Sequence, residues 1–149
     1  MNGMGNDGMN DTQAIQQTIS RYAIGCSAQD WDSVIATFTA DGAWEVPSRG
    51  LRITGHDALR AAMSGFVAGF DHFVQINAPA AITVDGDRAT ARSLIRECGK
   101  YTGRDEALEV TGLYDDELLR TADGWKFERR TFTGLGMLGL PTAAPTLPG

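Results

Sequence analysis

AITVDGDRATARSLIREC, residues 81–98, reads as two β-strands joined by a tight turn. The strands are Ala80 to Val84 and Ala89 to Cys98, and Asp85-Gly86-Asp87 between them is a strong hairpin signal. Alternation sets Ser93, Ile95 and Glu97 on one face and Arg92, Leu94 and Arg96 on the other. Further strands lie on both sides: His72 to Ile76 before the hairpin, Leu108 to Leu119 and Trp125 to Thr133 after it. Thr121-Ala122-Asp123-Gly124 marks another tight turn, and Thr102-Gly103-Arg104-Asp105 a weaker one.

Upstream, the apolar period changes from two to 3.6. Ile15, Ile19, Tyr22, Ala23 and Cys26 form one helical face behind a cap at Asp11 or Thr12. Asp30-Trp31-Asp32 opens a shorter helix with Trp31, Val34, Ile35 and Phe38 inward, and Asp41-Gly42 is expected to end it. Ala43 to Val46 and Leu51 to Ile53 are short strands around a turn at Pro47 to Gly50. A third helix spans about His56 to Phe66, with Leu59, Met63 and Phe66 on one side. Helices followed by a run of antiparallel strands define an α+β domain, with the helices on one face of the sheet. The expected organisation is a flexible tail at 1–11, one domain at 12–134 and a Gly/Pro-rich tail at 135–149. Leu135, Met137, Leu138 and Leu140 are too apolar for a free tail and are expected to pack on this domain or on a neighbouring subunit.

The chain has 149 residues, 13 Lys plus Arg and 19 Asp plus Glu, for a net charge of −6. That balance argues against nucleic acid and against anionic lipid, both of which need clustered cations. No apolar run approaches the ~20 residues of a membrane span. The opening MNGMGNDGMND has neither a basic region nor an apolar stretch, so a secretory signal is not expected. Cys26 and Cys98 match no metal or redox spacing and read as reduced thiols in a cytoplasmic protein.

Two G-x-G-x-x-G strings occur, Gly3-Gly5-Gly8 and Gly134-Gly136-Gly139, but neither lies between a strand and a helix, where the motif works. With His56 and His72 as the only histidines, a three-histidine metal centre cannot form within one chain. Any chemistry is therefore expected to be acid–base work without cofactor or metal. His56 reads as an exposed first-turn residue. His72, at a strand start between Phe70 and Phe73, is the best general base by its ordinary pKa of ~6.5. Tyr22 is either core or a phenol directed into a pocket. Trp44 is either core or a pocket wall. Most strand charges, among them Asp116 and Arg130, read as cross-strand pairs on a solvated or subunit-facing surface. Glu97 and Arg129 are the two expected to turn inward, because each shares a face with apolar neighbours.

Several stretches resemble the SnoaL-like branch of the nuclear-transport-factor-2-like superfamily. They include Ile19-Ser20-Arg21-Tyr22-Ala23, Phe38-Thr39-Ala40-Asp41-Gly42-Ala43-Trp44 and Gly55-His56-Asp57-Ala58-Leu59. Val84 to Ser93, Tyr114 to Leu118 and Asp123-Gly124-Trp125-Lys126-Phe127 extend the likeness over about residues 12 to 133. The resemblance implies a cone: a strongly curved antiparallel sheet wrapped around about three helices, leaving a deep apolar pocket. It implies a homodimer or homotrimer. Members include scytalone dehydratase, ketosteroid isomerase, hexachlorocyclohexane dehydrochlorinase, limonene epoxide hydrolase and polyketide cyclases, and some only bind.

The dehydratase and dehydrochlorinase members pair a helix-1 aspartate with a strand histidine. The aspartate position is similar to Ser27 here, which cannot charge-stabilise an imidazolium. His72 lies five residues before Asn77, and either His72 or Gln75 takes the histidine's place. The implied activity is a cofactor-independent lyase or isomerase on a small hydrophobic cyclic or aromatic molecule. His72, Tyr22 and Glu97 would do the chemistry. Trp44, Gln75, Ser27, Arg129 and Phe66 would contact the substrate. The alternative is a binding protein or accessory subunit of the same fold, and below it an epoxide hydrolase or a polyketide cyclase.

Overall fold

A computed structural model describes the backbone of residues 4–142 and the side chains of residues 11–142. Helix α1 (Met4–Ala28) buries Ile15, Ile19, Tyr22, Ala23 and Cys26, the predicted stripe. It starts at Met4, upstream of the predicted cap. Asp11 is no cap but a clamp. Its carboxylate accepts two 2.7 Å bonds from Arg120 and one of 3.1 Å from the Trp125 indole, which tie the helix to the last hairpin. The expected N-terminal tail is thus helical from Met4, and the parts of the two tails at 1–3 and 143–149 lie outside the described residues.

Helix α2 (Trp31–Ala36) is capped by Asp30, whose side chain accepts from Ser33 N at 3.2 Å. It stops before the Asp41-Gly42 pair. Strand β1 (Phe38–Val46) already begins at Phe38, a correction to the predicted helix end. Gly42 makes no turn; a Cβ there would stand 3.0 Å from the Phe127 carbonyl oxygen and from Phe38, so glycine serves close approach. A 3₁₀ turn at Pro47–Arg49 leads to β2 (Leu51–Thr54), and α3 (His56–Val67) buries Leu59, Met63 and Val67. His56 Nε2 lies 3.1 and 3.0 Å from the carbonyl oxygens of Phe38 and Thr39, so this histidine is a tie between α3 and β1.

The remaining strands are β3 (Phe70–Asn77), β4 (Ala81–Asp85), β5 (Arg88–Tyr101), β6 (Glu106–Thr121) and β7 (Gly124–Pro141). They form one curved sheet ordered β2-β1-β7-β6-β5-β3, with β4 also pairing β5. Gly86, at φ 62°, closes the β4–β5 hairpin in the left-handed region that the Asp-Gly-Asp signal predicts. The sheet is mixed: β1 and β7 run parallel, where the sequence predicts antiparallel pairing throughout. The chain crosses from β2 through α3 to the far edge and then meanders back, so β7 arrives beside β1 in the same direction. The apolar 135–140 stretch is the end of β7, paired with β6 from Glu106 to Thr111. Beyond Thr131 the register with β1 ends, and an unpartnered edge of this kind tolerates glycine and proline.

Two β-bulges decide which side chains face the helices. In β3 the register slips between Phe70 and His72, leaving Asp71 as the extra residue. In β7 it slips where Glu117 pairs Arg129 but Leu118 pairs Phe127, leaving Glu128 extra. An extra residue exchanges inside for outside along the rest of the strand.

Candidate active site

Between the helices and the concave sheet face lies a cavity of about 590 Å³. Its walls are largely apolar, with Met63, Phe73, Val110 and Phe132 among the lining side chains, and Phe66 on its rim at 53% exposure. Four elements each bring a polar side chain to the inner wall, Tyr22 from α1, Trp44 from β1, Gln75 from β3 and Glu97 from β5, and Ser48 and Arg49 join them from the exposed 3₁₀ turn.

Glu97 follows Ser93 and Ile95 inward, as alternation predicts. Gln75 stands directly across the ladder from it, and Gln75 Nε2 donates to Glu97 Oε1 at 2.6 Å. Gln75 is only 7% exposed, and its carbonyl oxygen has no hydrogen-bond partner among the described residues. Burial pushes the Glu97 carboxyl above the ordinary glutamate value, while the Gln75 amide and the Arg130 charge oppose it.

Tyr22 and Tyr114 place their hydroxyls 3.4 Å apart, and the Trp44 indole donates to Tyr114 Oη at 3.0 Å. Burial raises both phenols, so both stay neutral donors. Cys26 also lines the cavity, and burial pushes its thiol up to about 12, which removes it as a nucleophile.

Behind Tyr22, within the core, lies an ion pair whose two members read from the sequence as surface charges. Arg130 Nε and Nη2 donate to Asp116 Oδ1 and Oδ2 at 2.7 and 3.1 Å, with both side chains fully buried. The guanidinium carbon sits 4.3, 3.8 and 4.2 Å from the ring centroids of Tyr22, Tyr114 and Phe127. Burial works against the Arg130 charge, but Asp116, Tyr114 and Tyr22 outweigh it and hold the group protonated. Burial likewise pushes the Asp116 carboxyl up, with Arg130 pulling it back.

Three predicted site residues lie elsewhere. His72 is exposed and does not line the cavity, because the Asp71 bulge turns it outward while Phe73 and Gln75 point in. Arg129 pairs with Glu117 at 2.8 Å on the outer surface, because the Glu128 bulge hands the inward position to Arg130. Ser27 does not line the cavity either. Its hydroxyl donates to Ala23 O at 2.8 Å and accepts from Gln75 N–H at 2.9 Å, pinning β3 to α1. Ser27→Ala should therefore destabilise the fold by about 1 kcal/mol, read by urea unfolding, because it leaves the Gln75 amide unpaired. A stability equal to wild type would show that this bond contributes nothing.

Among the described residues, no group of three or more His, Cys, Asp or Glu could hold a metal ion, and no helix is long and apolar enough to cross a membrane. The curved mixed sheet, the helix order and the cavity open at one end define the cone architecture. The chain belongs to the SnoaL-like domain family, which matches residues 7–131. It is 25% identical over 126 residues to Rv2910c, an uncharacterized protein of Mycobacterium tuberculosis, covering 84% of this chain and 86% of that one. A crystal structure from Novosphingobium aromaticivorans, provisionally named an aromatic ring hydroxylase, superposes with a TM-score of 0.81. It is 29% identical, over 89% of this chain and 94% of that chain. The hexachlorocyclohexane dehydrochlorinase LinA-type3 of Novosphingobium barchaimii has the same fold, with a TM-score of 0.82 at 17% identity over 93% and 97%.

Proposed function

We propose that this chain is a cofactor-independent lyase or isomerase for a small hydrophobic cyclic or aromatic molecule, with Glu97 as the group that takes the proton. The observation that carries this reading is Glu97 itself. It is the one carboxylate among the described lining residues, and burial lifts it above the ordinary glutamate value, the direction a general base needs. The likeness in fold to a dehydrochlorinase, an elimination enzyme by its name, supports the same class.

In an elimination the Glu97 carboxylate removes a proton from a ring carbon. The C–H electron pair becomes the new double bond as the leaving group departs from the neighbouring carbon. Trp44 can only donate, so Tyr114 Oη accepts from it. The Tyr22 and Tyr114 hydroxyls lie 3.4 Å apart and either can donate, so a Tyr22 proton turned from Tyr114 toward the cavity meets a substrate oxygen gaining negative charge. The Trp44 ring offers an aromatic face to the substrate ring. The lining holds too few carboxylates to favour epoxide hydrolysis.

Proton abstraction can be read without the natural substrate, as deuterium uptake from D2O into a bound cyclic ketone such as 2-tetralone. Catalysed uptake should fall as the pH drops through the raised Glu97 pKa, giving an acid limb above the ordinary glutamate range. His72→Ala should leave the rate and this limb unchanged. A limb that moves with the His72 substitution would return the base to that histidine.

The second reading is a binding protein without chemistry, favoured by Ser27 in the position where related enzymes carry an aspartate and by the absence of histidine from the described lining. A thermal-shift screen with mass analysis separates the two. A stabilising ligand recovered unchanged and undeuterated supports binding alone.

A further inference from the structure

The polar groups of the cavity are segregated by depth. Gln75 and Tyr22 are buried and Glu97 is half-buried, whereas Ser48 and Arg49 line the same cavity from the exposed 3₁₀ turn. Between the two poles the wall is apolar, from Leu51 and Ile53 to Met63 and Val110. Arg49 is the cationic residue among the lining side chains. Most cations of this chain have a carboxylate partner: Arg52 has Glu45, Arg60 has Asp32, Arg129 has Glu117 and Arg130 has Asp116. The Arg49 guanidinium forms no such pair among the described residues, although the chain carries six more acids than bases. An unmatched guanidinium at the mouth of an apolar hollow presents a ready-made fork for a planar anion.

Resting on the reading of this cavity as a ligand site, we infer that its substrate is a ring carboxylic acid. The ring occupies the apolar hollow, the carboxylate meets Arg49 and the Ser48 hydroxyl at the mouth, and the reacting end faces Glu97 and Tyr22. This polarity fixes orientation: a carboxylate pushed to the depth would meet the Glu97 carboxyl, and one at the mouth meets the unpaired cation. Arg49 is then a specificity-determining residue and takes no part in proton transfer.

The test uses naphthalene-2-acetate, its 6-hydroxy derivative and the methyl esters of both, titrated calorimetrically against the full chain. The acids should bind about ten-fold more tightly than their esters, the worth of one charge-assisted contact. Raising the salt concentration should narrow the gap. Arg49→Gln should bring the acids down to the affinity of the esters and leave the esters unchanged. Because Arg49 is exposed and forms no ion pair among the described residues, this variant should fold as the wild type does, which circular dichroism checks. Equal binding of acid and ester by the wild type, or an acid preference that survives Arg49→Gln, overturns the inference while leaving the cavity a ligand site. If neither acid nor ester binds at millimolar concentration, the reading of the cavity as a site for ring compounds falls with it.

Discussion

Asp116→Ala should cost about 3–5 kcal/mol of folding stability, the largest loss expected from any single charge in this chain. The substitution leaves the Arg130 guanidinium fully buried, facing three aromatic rings, without the carboxylate it is hydrogen-bonded to. Its Nη1 already lacks a partner, so no second acceptor is in place to take over. A domain of this size has about 5–15 kcal/mol in total, so the variant should be only marginally folded at 25 °C and its urea midpoint should drop steeply. The converse experiment separates pairing from burial. Asp116→Leu combined with Arg130→Met removes both charges and should recover most of the loss, because the cost of the single variant lies in the orphaned charge. The half-exposed Arg129–Glu117 pair is the internal control, and Glu117→Ala should change stability by less than about 1 kcal/mol. If Asp116→Ala and Glu117→Ala cost the same, the interior of the cone is far wetter than its packing indicates. The result also bears on function, since Arg130 lies against the Tyr22 ring and fixes the floor from which that phenol projects.

What is legible in the sequence and what is not divide along one physical line, the regularity of the strand. On stretches of unbroken period, pattern places side chains correctly. Ile15, Ile19 and Tyr22 are buried on α1, and Ser93, Ile95 and Glu97 point the same way on β5. Trp44 and Gln75 reach the cavity wall. His72 and Arg129 each sit next to an inserted residue, and alternation carried across the insertion reverses inside and outside. Arg130 reads as surface charge for the same reason, whereas Asp116 lies in regular alternation with the buried Tyr114 and Leu118 and reads as surface only because it is charged. A signal is present: Phe70 and Phe73 are three apart, and Phe127 and Phe132 five apart, on strands. An odd separation between two inward aromatics cannot be met by a period of two without a bulge between them. The parallel β1–β7 pairing has no comparable signal, because it depends on where the chain returns after crossing the sheet. Phe38 reads as helix because Asp-Gly is strong turn chemistry, and tertiary pairing with β7 overrides it. Family likeness makes Ser27 a substrate contact, but its lone hydroxyl is occupied by the backbone of α1 and β3.

Glu97→Gln should lower deuterium uptake into bound 2-tetralone by ~10²–10⁴-fold, the usual worth of one positioned proton-transfer group. The substitution keeps the volume and removes only the ability to accept a proton. Gln75 stays opposite, and two amides can still bond across the ladder, so the cavity should keep its shape. Stability should not fall, because the side chain that is replaced carries a charge disfavoured by burial. Ligand affinity should hold within a few-fold, since the apolar wall supplies most of the contact. A fall in rate at constant affinity and constant urea midpoint is the signature of a group that acts on the transition state. Gln75→Leu provides the complementary test. Removing the amide takes away the neighbour that favours the ionised carboxylate, so the acid limb of the uptake profile should move to higher pH while the plateau persists. Uptake that survives Glu97→Gln within a few-fold would sink the assignment of the base, and with it the case for elimination chemistry in this cavity.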